Sequence, residues 1–193
     1  MEKGRYLIAL SLLSCLFLFS FSQSVSAQPP AISTLEGLVV GVTEGDRITV
    51  NSFGTEIIVQ LYGVAAPQTA KVDKFSGWYK AGQPYAEDAF RALSIKVLHQ
   101  QVKLEIRRTI VFNKDHKQLA LAVVYLDGRD INREMISEGR AWAFRKFTDK
   151  ADLFEYLAAE RHARARRHGL WQQESPQPPW EFKPQLRLRT NAN

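Results

Sequence analysis

Cysteine occurs once in 193 residues, as Cys15, inside the most apolar stretch of the chain. The remainder has no thiol, which excludes disulfides and thiolate-ligated zinc from the body of the protein. Histidine is also scarce. His99, His116, His162 and His168 share no ligand spacing, which argues against a histidine metal centre. No glycine-rich phosphate loop, no Ser/His/Asp constellation and no internal repeat is present, so nucleotide-hydrolase and serine-hydrolase readings lose their sequence basis. Acidic residues number 20 against 26 Lys and Arg, for a net charge of +6. The basic excess suits a polyanionic partner as well as plain solubility.

The one long apolar run stands at the start. Lys3 and Arg5 precede "YLIALSLLSCLFLFSF", and Val25-Ser26-Ala27 ends the segment in small and aliphatic residues. This pattern is a signal peptide over 1–27, with cleavage near Ala27; retention as a membrane anchor is the alternative. Cys15 lies too deep in the run for a lipoprotein site. The chain is therefore expected to be exported, to the periplasm or beyond, with about +5 of its charge on the mature part.

Residues 28–34 hold two prolines and form a flexible lead-in. From Leu35, "LEGLVVGV", "DRITVNS" and "TEIIVQLYGV" are short β-branched runs separated by turn residues, an antiparallel meander. After Pro67 comes a polar, irregular stretch to Gln83 with exposed aromatics in "DKFSGWYKAG". Pro84 sits where a first helical residue belongs. "YAEDAFRALSIKVLHQ" places Phe90, Leu93, Val97 and Leu98 at helical spacing. "VKLEIRR" and "LALAVVYLDGRDIN" supply two more strands. "INREMISEGRAWAF" is a short helix capped by Gly139, with Glu134 and Glu138 on a solvated face. "KADLFEYLAAERHARARRHGLW" is the last and longest helix. The order predicts a five-stranded OB-type Greek-key barrel with three helices, an α+β fold over 35–174, followed by a proline-rich tail over 175–193.

"EGDRITV", "VQLYGVAAPQ", "GQPYAEDAF", "LAVVYLDGRDIN", "EGRAWAF" and "RHGLW" stand in the order and spacing of one known family. The chain resembles the thermonucleases, the staphylococcal nuclease-like proteins, from Leu35 to Trp180. The tail "QPPWEF" is similar to the ending of bacterial members. The resemblance implies phosphodiester hydrolysis at a calcium ion held by carboxylates, with a glutamate activating water and two arginines neutralising the phosphate.

Matched residue by residue, that machinery is mostly replaced. Asp46 keeps the first metal-ligand position, although an aspartate in such a turn also serves backbone amides. Gln60 stands for the first arginine, Ala65 for the second aspartate, Gln68 for the glutamate and Leu119 for the second arginine. Glutamine is no base near neutral pH, and one carboxylate is a poor site for an ion that takes about 6–8 oxygens. Losing a general base alone costs about 10²–10⁴-fold in rate. The resemblance therefore implies a noncatalytic nuclease-like module, calcium entering only if cleavage is retained. Gly63 and Pro67, which shape the rim, are kept.

"RHARARRHGLW" clusters Arg161, Arg164, Arg166 and Arg167 with two histidines, and Lys117 lies in the turn before the fifth strand. With Trp78, Tyr79, Trp142, Phe144 and Trp171 these form a candidate surface for phosphates and stacked bases, although Trp142 and Trp171 also suit the core. The expected function is a monomer that binds nucleic acid or another polyanion. An envelope protein bound through the insert Lys71 to Gly82 is the second reading, and a metal-dependent nuclease with substitute residues the third.

Overall fold

The computed structural model describes residues 33–73, 75–112, 117–146, 148–183 and 186–188, all within one compact unit. Three strands run first: β1 (Ser33–Glu44), β2 (Arg47–Ser52) and β3 (Thr55–Leu61). Their buried positions alternate, with Ile48 and Val50 inside on β2 and Val59 and Leu61 inside on β3. β1 starts at Ser33, inside the expected lead-in, because Ser33 to Leu38 pair with Ile106 to Gln101 of β7 (Gln101–Phe112). Two register shifts in β1, after Val39 and Val42, bend it enough to serve two neighbours.

β8 (Lys117–Leu126) pairs antiparallel with β7 and parallel with β3, Ile58 facing Leu119 and Leu61 facing Ala122. That last pairing closes the five-stranded barrel and removes its free edges. Short pieces complete the sheets: β4 (Val64–Ala65) pairs with β10 (Trp142–Ala143), and β9 (Arg129–Asp130) extends β8.

α1 (Ala86–Val97) begins later than the sequence suggests, because Tyr85 takes a left-handed φ of 65°. It ends before Leu98, and His99 follows at φ 61°. Its buried face is Ala86, Ala89, Leu93 and Val97; Phe90 is only half-buried. α2 (Ile131–Ser137) is capped by Asp130, whose carboxylate accepts the Arg133 N–H at 2.9 Å. Glu134 and Glu138, expected on a solvated face, instead hold Lys96 of α1 at 2.8 and 2.7 Å. Asn132 is fully buried and fully paired. Its amide donates to the Tyr62 and Ala122 carbonyls and its oxygen accepts the Val124 N–H, tying α2 to the barrel.

α3 (Lys150–Ala165) leads into a 3-10 turn (Gly169–Gln172). Trp142, Ala163, Leu170 and Trp171 form a second small core there, the two indoles meeting edge-on at 5.4 Å. Gly139 (φ 67°) and Gly169 (φ 52°) sit back to back beside it. A Cβ on Gly139 would lie 2.1 Å from the His168 carbonyl oxygen, and one on Gly169 would lie 2.2 Å from that of Gly139. Only glycine allows this approach.

The irregular insert after Pro67 contains a hairpin, β5 (Lys71–Val72) and β6 (Trp78–Lys80), with Phe75 fully exposed near its tip. Residues read as a tail also fold: β11 (Leu186–Leu188) pairs with β6, Leu186 opposite Lys80. Among the described residues no helix is long and apolar enough to cross a membrane. The segment 1–27, expected to be a leader, and the turn residue His116 lie outside the described residues.

Candidate functional site

The barrel rim is built where β3 ends. Tyr62 donates its N–H to the Ala122 carbonyl at 2.8 Å, and the chain then turns at Gly63 (φ 71°). A side chain on Gly63 would strike the Tyr156 ring at 2.8 Å, so the turn is pressed against α3. From the other side the β1–β2 turn brings in Asp46. Its carboxylate accepts the Ala66 N–H at 2.9 Å and the Gln60 side-chain amide. Gln60 also accepts from Arg47 Nε at 3.1 Å. Burial pushes the Asp46 carboxyl above its usual range, against the pull of the Ala66 N–H, Gln60 and Arg47.

These groups edge a cavity of about 220 Å³ whose walls are mainly Leu61, Tyr62, Val64, Leu121 and Phe144. Ala65, paired with Trp142, presents only a methyl group to it. Leu119 lies half-buried between Ile58 and Ile110 and brings no cation. Asp46 thus joins both sequence-level readings: it lies at the rim, and it is engaged with backbone.

Gln68 faces a different neighbour. Its N–H donates to Gln83 Oε1 at 2.9 Å, and its Nε2 donates to the Pro179 carbonyl at 3.2 Å. Gln83 in turn donates to the Gln177 carbonyl at 3.1 Å. Trp180 tilts against Phe144 with ring centroids 5.6 Å apart. Residues 174–183 are thereby strapped beside the rim by two glutamines and an aromatic contact. Beside them Glu44 anchors the insert, taking both the N–H and hydroxyl of Thr69 and the Lys71 ammonium at 2.8 Å. Burial opposes its ionisation, yet the Lys71 and Thr69 contacts hold Glu44 below the usual carboxylate range.

A family model for staphylococcal nuclease homologues matches residues 58–173, which include the end of β3, the turn at Gly63 and all three helices. The chain belongs to the staphylococcal nuclease homologue family. It is 29% identical over 151 residues to an uncharacterized endonuclease of Haemophilus influenzae, a match covering 78% of this chain and 74% of that protein. It is 27% identical over 168 residues to the micrococcal nuclease of Shigella flexneri, covering 84% and 88%.

The family resemblance implies calcium at the rim, and the donor set here does not fit that ion. Asp46 is the one carboxylate among the described residues lining the cavity, and its Oδ2 already accepts a backbone N–H. Ala65 offers no side-chain oxygen, and Gln68 is engaged with Pro179. Among the described residues no group of three or more His, Cys, Asp or Glu stands close enough to hold a metal.

The basic cluster of this family member divides in two. Arg164 is structural in part: it pairs with the buried Glu160 at 2.7 Å and lies 4.1 Å over the Trp171 ring. Glu160 also accepts the Ala143 N–H at 2.7 Å. Arg161, Arg166 and Arg167 are exposed at the end of α3. Lys117 opens β8, with its side chain outside the described part. Trp142 and Trp171 are core, 4% and 7% exposed. Gln83 and Trp180 had no assigned part in the sequence analysis. Only "PPW" in the tail hinted at the last of them, and nothing signalled that the tail folds back onto the rim.

Proposed function

We propose that this family member is a noncatalytic module that binds nucleic acid, working outside the cytoplasm after removal of its leader. The observation that carries this is the rim itself: an apolar cavity edged by Asp46 and Gln60, with Gln68 committed to the strap. Cleavage of a phosphodiester needs a water activated by a base and charge stabilisation on the phosphoryl oxygens. Gln68 supplies no base, and Ala65, Gln60 and Leu119 supply no charge. Binding needs less. The exposed Arg161, Arg166 and Arg167 on a chain of net charge +6 supply the sequence-independent attraction to phosphates. The relatives named as nucleases support nucleic acid over other polyanions.

A second reading, an envelope protein partner, is favoured by the fully exposed Phe75 and the half-exposed Trp78 on the insert hairpin. The deciding experiment incubates purified protein with plasmid and single-stranded DNA in calcium, with EDTA as control. No cleavage is expected in either. Calcium-dependent cleavage that is abolished in Asp46→Ala would overturn the noncatalytic reading. Salt-sensitive binding of DNA supports the nucleic-acid reading; no binding at low salt transfers support to the hairpin and a protein partner.

A further inference from the structure

Between the strap and α3 lies a groove of about 1160 Å³, separate from the rim cavity but sharing Phe144 and Lys146 with it. Its volume exceeds the ~300–1,000 Å³ of ordinary small-molecule clefts, which suits a stretch of polymer. The barrel side contributes Phe144, Arg145 and Lys146, the strap contributes Trp180, and Arg164 on Trp171 lies between them.

The chemistry of these walls is specific. Arg145 and Lys146 are exposed, and the Arg164 side chain is 51% exposed even while paired. Of the acids in the groove, Glu160 is buried and spoken for by Arg164 and the Ala143 N–H. Glu174 and Glu181 are exposed on the strap. Trp180 is 51% exposed although one part of its ring touches Phe144. Cations that follow a path and an aromatic face beside them are the two components of a single-strand platform: phosphates take the charges and bases stack on the rings. A duplex keeps its bases stacked on each other and cannot use the rings. Arg166 and Arg167, also exposed, follow Arg164 at the end of α3.

We propose that the groove between the strap and α3 is a binding site for single-stranded nucleic acid, with bases stacked on Trp180 and Phe144 and phosphates on Arg145 and Lys146. This rests on the nucleic-acid reading above and adds a place and a strandedness to it. The strap is then a wall of the site as well as the hydrogen-bond partner of Gln68 and Gln83.

The test measures binding of the full chain to a labelled oligothymidylate of about 15 nucleotides, within single-strand site sizes, across a salt series. Trp180→Ala is expected to weaken binding about 5- to 150-fold with an unchanged salt slope, since a stacking contact and no charge is lost. Trp180→Phe should largely restore it, which separates stacking from loss of fold. Arg145→Ser should weaken binding and reduce the slope by about 0.7. Duplex DNA should bind more weakly and be indifferent to Trp180→Ala. If the oligonucleotide binds but Trp180→Ala and Arg145→Ser leave it unchanged, while Arg166→Ser with Arg167→Ser abolishes it, the groove is wrong and the nucleic-acid reading stands. If polyglutamate competes as well as the oligonucleotide, the site is a generic anion surface and the inference fails. If no nucleic acid binds at low salt, both fail together.

Discussion

Gln68 donates its side-chain amide to the Pro179 carbonyl at 3.2 Å, across 111 residues of sequence. The residue that the family resemblance sets at a catalytic glutamate's position thus holds down a strap. Replacing Gln68 by Ala should cost about 1 kcal/mol, the net worth of one such bond, and speed proteolysis between residues 174 and 183. Gln68→Glu removes the donor and sets a carboxylate against the Pro179 oxygen. It should loosen the strap in the same assay and produce no DNA cleavage with calcium, because Ala65 and Gln60 are unchanged. Cleavage by that single variant would show that the rim needs only a base.

The Gly139–Gly169 contact admits no side chain. Gly139→Ala and Gly169→Ala should each destabilise by about 2–4 kcal/mol, since each adds a left-handed strain to a clash with a carbonyl. Urea unfolding of the two variants checks this. A loss under about 1 kcal/mol would mean that the α2–α3 junction yields easily.

Asp46 offers a pH test. Burial raises its folded carboxyl above the 3.8 of the free group, so the fold prefers the protonated form. That contribution is fully present below 3.8 and is lost as pH rises through the folded value. At neutral pH Asp46→Asn should therefore be as stable as the parent or more so, because its carbonyl still accepts the Ala66 N–H. Asp46→Ala leaves that N–H unpaired and should cost about 1–3 kcal/mol. Thermal unfolding at pH 7 and pH 4 compares the three; an Asn variant as weak as the Ala variant would contradict the assignment.

Glu134 carries the opposite sign. Burial opposes ionisation of Glu134, but Lys96 and Arg129 outweigh it and hold the carboxyl below 4.5. Its stabilising contribution is present above 4.5 and is lost as pH falls through the lowered value. Lys96→Met should cost about 1 kcal/mol at pH 7 and flatten the acid side of the stability profile. Unfolding midpoints between pH 3 and pH 7 would show it.

The barrel was legible because its strands alternate cleanly and the turns between them carry glycine, aspartate and asparagine. The family resemblance assigns site positions to Gln60, Ala65, Gln68 and Leu119; the fold puts Gln60 and Ala65 at the rim cavity, Gln68 against Pro179 and Leu119 in β8. The helix bounds were less so, since Tyr85 and His99 take left-handed conformations that their residue types do not announce. Periodicity also hides polar side chains that are buried for tertiary reasons. Asn132 and Glu160 look like surface residues in the chain and are among the most enclosed in the fold. The grip of Glu134 and Glu138 on Lys96 is a contact between helices, invisible to a reading of one helix at a time. The tail carries no sign of folding back, because prolines dominate it. Its partner, the Trp78–Lys80 strand, is three residues long and roughly a hundred residues upstream.

That last pairing has a consequence for how the molecule comes into being. Every strand of the barrel and all of α3 are synthesised before Trp180 and Leu186, so the barrel can close while the strap is still unmade. A chain halted before residue 174 would have its basic helix and its rim but only one wall of the groove. Because the strap is held by two side-chain hydrogen bonds and one aromatic contact, it is expected to dock last in folding and open first in unfolding. The groove is therefore a mark of the finished molecule, present only once the polypeptide has folded back upon its own middle.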